Sequence, residues 1–306
     1  MNHKSVIEQT LGITRLNIER FGNRFPIVSM GDGKYFLTDQ TNWTEGFWSG
    51  ILWLSYEYSK DPTLYYAAIQ TVDSFRERME AGQELDHHDI GFLYSLSAKA
   101  RWIVDNDEAS RLLALQAADV LMKRWRSAPQ VFQAWGPEGD ADNGGRIIID
   151  CLMNLPLLYW ATEQTGDRNY AECATIHADK SRRFLVRGDD SSYHTFYFDQ
   201  ENGNAIRGGT AQGFQDGSTW TRARPGASTA SPWLTTIRGR SDSSKPRGGW
   251  PATSLSISLK TMSPIGTSMP RRRKAQRVTA RPQPSLCAVS LSCWSICRRA
   301  TRTALC

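Results

Sequence analysis

The sequence predicts an all-α fold, an α/α barrel of helical hairpins. In ILWLSYEYSKDPTLYYAAIQTVDSFRERM, apolar residues recur at helical spacing on both sides of Lys60-Asp61-Pro62. The same grammar returns in LLYWATEQTGDRNYAECATIHADKSRRFL, where Asp167 follows Thr165-Gly166. Glu57 and Glu163 both stand four residues before the turn aspartate, and Ala68 and Ala174 both stand seven after it. This match indicates an internal repeat. A lone hairpin cannot bury its own apolar face, so repeated hairpins stack or close into a ring.

In chain order, the first hairpin turns at Asp61, which can cap the second helix, with Pro62 in the first helical turn where a missing N–H costs nothing. A looser hairpin, SLSAKARWIVDNDEASRLLALQAADVL, turns around Asp107. A third turns at Asp167. After it comes SYHTFYFDQENGNAIRGGT, whose alternating residues flank the turn-rich Glu201-Asn202-Gly203-Asn204 and predict a short β-hairpin on the barrel rim. Loops at one end of such a barrel are where a binding cleft is built.

A chain of 306 residues that is 40% hydrophobic holds one large domain or two ordinary ones. No apolar run approaches bilayer length, and MNHKSVIEQTLGI lacks the pattern of a secretory signal, so the expected location is cytoplasmic with no membrane partner. The net charge of +6 divides unevenly. From Ala223 onward there are 15 Lys+Arg against 1 Asp+Glu, whereas residues 1–222 carry 22 against 30, a balance of −8. Cys151 and Cys173 lie in the acidic body and read as free thiols.

Two body segments place a carboxylate where helix and loop meet: Asp89 in LDHHDIGFLYS and Asp150 in ENGGRIIIDCLMNLP. Each could simply cap a helix, or both could project into one central cleft; periodicity does not choose. Trp43, Trp48, Trp135 and Trp220 sit beside polar or glycine-rich loop signals, where an aromatic face suits a pyranose ring, although a tryptophan is more commonly core. A metal site at His87, His88 and Asp89 is not expected, because consecutive residues do not easily turn three side chains to one ion.

The segments TNWTEGFWSGILWL, LDHHDIGFLYSLSAKA, QAWGPEGD, NGGRIIIDCLMNLPLL, RGDDSSYHTFYFD and DGSTWTR resemble, in order, motifs of the unsaturated glucuronyl hydrolases. The resemblance covers essentially all of residues 1–222. It implies an (α/α)6 barrel and hydration of a vinyl ether, with no metal or organic cofactor. A carboxylic acid protonates C4 of a 4,5-unsaturated uronic acid, water adds at C5, and the hemiketal collapses to release the rest of a lyase-generated oligosaccharide. Carried over, Asp150 is the general acid and base, and Asp89 assists and stabilises charge. Trp43, His88, Trp135, His194, Gln212 and Arg222 flank the substrate, and Arg222 is suited to a uronate carboxylate. An apolar surround such as Ile147 to Ile149 and a second carboxylate would raise the pKa of the acid. Ala211 stands where the family commonly has a histidine, in GTHQG. The related unsaturated rhamnogalacturonyl hydrolases share the barrel and reaction; DHHDIG and RIIIDC favour the glucuronyl type.

After Arg222 the helical period ends and the composition swings to Arg, Ser, Pro and Thr, so residues 223–306 are expected to be a non-native, disordered basic tail. RRRK at 271–274 could be read as a nucleic-acid patch. A frame change explains more. When each codon is begun at the third base of the preceding one, residues 223–233 permit QAWGIYGFAL, 249–255 permit MARHFL, 261–267 permit DVPYWDF and 278–286 permit DSSASAIT. Each resembles the family's own continuation, in order. The basic tail is then an accident of translation, no nucleic-acid partner is expected, and the oligomeric state is not legible. Residues 1–222 hold only about half of a six-hairpin ring, so an inactive frameshifted product is the alternative expectation.

Overall fold

The structure, a computed structural model, describes residues 3–29, 34–39, 42–189 and 191–219. Helix α1 (His3–Phe21) leads into a small antiparallel hairpin, β1 (Phe25–Ser29) with β2 (Tyr35–Thr38). Three helical hairpins follow: α2 (Glu45–Ser59) with α3 (Pro62–Glu80), α4 (Ile90–Leu96) and α5 (Ala98–Asp105) with α6 (Glu108–Met122), and α7 (Leu155–Thr165) with α8 (Asn169–Leu185).

All three hairpins turn by the same device. The first helix ends on a left-handed residue, Lys60, Asn106 or Gly166, with φ of 57°, 59° and 79°. The N–H of that residue closes on the carbonyl of Tyr56, Trp102 or Thr162, satisfying the helix end. An aspartate comes next, and its carboxylate accepts a backbone N–H from the following helix: Asp61 from Thr63 at 2.9 Å, Asp107 from Ser110 at 2.8 Å, Asp167 from Asn169 at 2.9 Å. The sequence repeat marks this turn, and its matched alanines Ala68 and Ala174 are both fully buried where the paired helices meet.

Helices α2, α4 and α7 lie side by side as an inner layer, and α3, α6 and α8 pack behind them. The inner helices carry apolar or small residues nearly all round. On α2 the run Glu45 to Ser55 is buried apart from Ile51, as expected of a helix covered on every side. One core joins the layers through Leu52, Trp53, Leu64, Phe75, Leu93, Tyr94, Leu121 and Leu158. The middle inner helix is broken at Ser97, between α4 and α5, where φ is −109° and ψ is −89°.

The expected rim hairpin is present as β6 (Thr195–Phe198) and β7 (Ala205–Gly209). It is part of a larger sheet. Strand β5 (Arg146–Ile148) pairs with β6 in the register Arg146 to Tyr197, Ile147 to Phe196 and Ile148 to Thr195. A second core of Val131, Ile147, Ile149, Leu185, Phe196 and Phe198 lies beneath that sheet. Strands β3 (Trp125–Arg126) and β4 (Val131–Phe132) form the remaining two-stranded pair. Arg222, Trp220 and the tail from 223 to 306 lie outside the described residues.

Because the Asp107 carboxylate is the N-cap of α6, Asp107→Ala should lower unfolding stability by about 1 kcal/mol, read as a reduced urea midpoint with unchanged slope. An unchanged midpoint would show that the cap carries no stability.

Candidate functional site

The N-terminal ends of the three inner helices converge. Trp43, just before α2, meets Phe92 of α4 edge-on at 5.7 Å, and Phe47 stacks on Phe92 at 5.4 Å. The Phe92 N–H donates to Oδ1 of Asn154, which precedes α7, at 2.9 Å. Between them sits Gly91. A Cβ built there would lie 2.4 Å from the Asn154 Cβ and 2.5 Å from its Cα, so only glycine lets the two backbones approach this closely.

This contact joins the elements carrying the two candidate carboxylates. Asp89 immediately precedes α4, and Asp150 lies in a short 3₁₀ turn (Ile149–Met153) between β5 and α7. Asp89 is not a helix cap by side chain: no cap hydrogen bond forms at the start of α4. Cys151 registers both. Burial pushes its thiol up to about 12, and the negative charges of Asp150 and Asp89 add to the effect. Its Sγ lies 3.2 Å from Ser181 Oγ, and such a thiol is inert.

Asp89 is opposed by two forces. Burial raises its pKa, but the neighbouring imidazoles of His88 and His87 outweigh burial and hold the carboxyl well below the usual range. His88 Nε2 is 3.2 Å from Oδ1 and His87 Nδ1 is 3.5 Å from Oδ2. An ionised Asp89 fits a group that stabilises charge better than one that delivers a proton. Behind it, His177 is fully buried and accepts the Phe132 N–H at Nδ1; burial, and next the nearby His88, push its pKa down to about 3. His177 is therefore neutral and protonated at Nε2.

Trp135 is tied to the Asp89 loop by an isolated bridge to His87, next to the His88 N–H bonded to the Ala134 carbonyl at 2.9 Å. The Arg146 guanidinium lies 4.3 Å from its ring centre. His194 is fully buried; its carbonyl accepts the Ile149 N–H at 3.2 Å and its Nδ1 accepts the Ala211 N–H at 3.3 Å. It links the residue before Asp150 to the loop carrying Gln212, which is itself exposed. Trp43, His88, Asp89, Trp135, Asp150 and His194 are thus brought together by adjoining elements, whereas Gln212 stands out in a loop and Arg222 is not described. Trp48 is no sugar platform: it is buried on α2 with its ring 5.0 Å from Phe21.

Sequence reading missed the internal cations that shape this end of the barrel. Arg124, almost fully buried, bonds to Asp86 and donates to the carbonyls of Gln133 and Gly136 at 3.2 and 2.9 Å. Arg78 pairs with Glu45 at 3.3 Å with both side chains at 0% exposure. A signal existed for Arg78: it follows Ala68, Thr71 and Phe75 at alternating steps of three and four, a charge on the buried stripe of α3. Among the described residues no three His, Cys, Asp or Glu side chains converge as a metal-ligand group.

With that geometry in view, the description Glycosyl Hydrolase Family 88 matches residues 17–229. The chain belongs to this family. It is 67% identical over 221 residues to an unsaturated glucuronyl hydrolase of Bacillus sp. strain GL1, a match covering 72% of this chain and 59% of that protein. The crystal structure of the Bacillus sp. GL1 unsaturated glucuronyl hydrolase responsible for degradation of glycosaminoglycan aligns with a TM-score of 0.75 at 64% identity, over 77% of this chain and 63% of that one. A mutant Streptococcus agalactiae unsaturated glucuronyl hydrolase complexed with dGlcA-GalNAc6S aligns with a TM-score of 0.61 at 36% identity, over 76% of this chain and 57% of that one. The three described hairpins match part of the (α/α)6 barrel of these enzymes, and the chain spans about 59% of the length of the curated Bacillus relative.

Gly91→Ala should cost about 1–3 kcal/mol through overpacking against Asn154 backbone and should disturb the Asp89–Asp150 arrangement. A melting temperature equal to that of the parent would show that the contact is not tight.

Proposed function

We propose that this chain removes a 4,5-unsaturated uronic acid from the non-reducing end of lyase-generated oligosaccharides. The observation that carries the reading is the placement of Asp89 and Asp150 just before neighbouring inner helices. In this reading Asp150 protonates C4 of the vinyl ether, water adds at C5 with its surplus proton returning to Asp150, and the resulting hemiketal opens to release the aglycone. Asp89, kept ionised by His87 and His88, stabilises the positive charge that develops between C5 and the ring oxygen. Trp43 and Trp135 supply aromatic surfaces for the sugar, His88 and His194 line the site, and Gln212 and Arg222 complete uronate recognition. Both described cysteines are free thiols, in keeping with a cytoplasmic enzyme.

We further propose that residues 1–222 are the glycosidase part and that 223–306 is the product of a frame change near codons 222 and 223. The family match runs to residue 229, a little past that boundary. The nucleotide sequence decides it: if the DNA cannot be read through in the shifted frame, the proposal fails.

The activity is tested by following loss of ultraviolet absorbance of the unsaturated sugar with a panel of glycosaminoglycan-, gellan- and pectin-derived disaccharides, using both the 306-residue chain and a frame-restored form. Turnover of glucuronyl substrates is expected, and Asp150→Asn should reduce kcat by about 10²–10⁴-fold. Asp150→Asn with parental turnover would remove Asp150 from the mechanism, and turnover confined to pectin-derived substrates would favour the rhamnogalacturonyl class.

A further inference from the structure

Arg187 lies just beyond the end of α8, where its own backbone is fixed. Its N–H donates to the Ser191 carbonyl at 2.8 Å, and the chain then returns with the Tyr193 N–H on the Leu185 carbonyl at 2.9 Å. The guanidinium lies 4.8 Å from the centre of the Tyr193 ring. From that seat it donates to the nearby Ser192 carbonyl at 3.2 Å and to three oxygens far along the chain: the carbonyls of Gly217 at 2.5 Å and Ser218 at 3.4 Å, and the Thr219 hydroxyl at 2.5 Å. A guanidinium offers five N–H donors in a rigid fork, which lets one side chain gather several oxygens of a single segment.

Those three distant acceptors close a loop. Residues 210–219 form neither a helix nor a strand, yet the loop is tied at both ends. At its start the Thr210 N–H donates to the Asp216 carboxylate at 2.7 Å, and the Ala211 N–H donates to His194 Nδ1 at 3.3 Å. Asp216 also pairs with Arg207 of β7 at 3.4 Å. The chain then turns through Gly217, whose φ is 83°, into the oxygens that Arg187 holds. Exposed Gln212 follows directly on Ala211 and is carried between the two ties. The Asp89 and Asp150 segments are joined elsewhere, through Gly91 and Asn154.

We infer that Arg187 is a positioning residue for recognition of the sugar acid: by anchoring residues 217–219 it holds the loop that presents Gln212 to the uronate, and so sets affinity and not the rate of proton transfer. The inference deepens the proposed function and rests on its assignment of Gln212 to uronate recognition.

Two measurements on the full chain test it. In amide hydrogen exchange, Arg187→Met should speed exchange across residues 210–219 by about 10-fold or more while α4 and α7 keep their parental protection. In turnover of an unsaturated glucuronyl disaccharide, the same variant should raise KM by about 10-fold with kcat within about twofold of the parent. Arg187→Lys keeps the charge but has three donors on a flexible stem, and should give intermediate loop protection and an intermediate KM. In a Gln212→Ala background, Arg187→Met should add little further to KM, because both changes remove one contact. A folded Arg187→Met chain with parental loop protection overturns the inference, as does a fall in kcat at unchanged KM or a fully additive effect with Gln212→Ala. If Arg187→Met does not fold, Arg187→Lys decides, and parental protection and KM in that variant overturn the inference. A folded parent that shows the expected loop protection, loses it in Arg187→Met and turns over no unsaturated disaccharide sinks the proposed activity and supports the anchor.

Discussion

The contact between Gly91 and Asn154 is the constraint on which the site depends. Helices normally meet through side chains, with axes 8–10 Å apart. Here the absent side chain of Gly91 lets the start of α4 rest on the backbone preceding α7, and the Phe92 N–H closes the gap onto Asn154. Asp89 and Asp150 are carried on either side of that weld. Close-packed interiors transmit small displacements, so a methyl group at this point shifts both carboxylate-bearing segments together.

Around this contact, buried cations do the work that regular secondary structure does elsewhere. Residues 81–89 form neither a helix nor a strand, yet they hold Asp89, whose carboxyl is held well below the usual range. Arg78 gathers their carbonyls from below, and Arg124 fixes Asp86 and the carbonyls of Gln133 and Gly136 around Trp135 from the side. Such groups bring specificity of geometry more than stability. Removing one member of a buried pair such as Arg78 and Glu45 strands the other charge, at about 3–5 kcal/mol, whereas an apolar replacement of both partners would cost far less and would lose the fixed loop.

Much of the fold was legible because its grammar is local. The turn aspartates at 61, 107 and 167 act within three residues of themselves, and the β6–β7 hairpin is specified by the turn between its strands. What escaped is non-local or two-faced. Strand β5 finds β6 about fifty residues later, although the β-branched run Ile147–Ile149 was a usable strand signal. The break at Ser97 has no proline or glycine to announce it. The carboxylates were identifiable as a pair only through family motifs, since nothing in their spacing says that α4 and α7 are neighbours. Trp48 illustrates the converse: a polar flank in sequence does not keep a tryptophan out of the core when its helix is covered on all sides.

The stack of Arg146 on Trp135 carries a consequence for recognition. With a guanidinium 4.3 Å from the ring centre, one face of the indole is already occupied, and a sugar stacked there as proposed would have a single usable side. A pyranose has two unlike faces, distinguished by which hydroxyls project axially, so a one-sided surface accepts the ring in one orientation and rejects its flipped counterpart. Arg146 is pinned to Asn143 and Thr195 and stands four residues before Asp150 on the same short segment. Under the proposed roles of Trp135 and Asp150, stacking surface and proton donor share one ruler, and the choice of sugar face also sets which face of the double bond meets the acid.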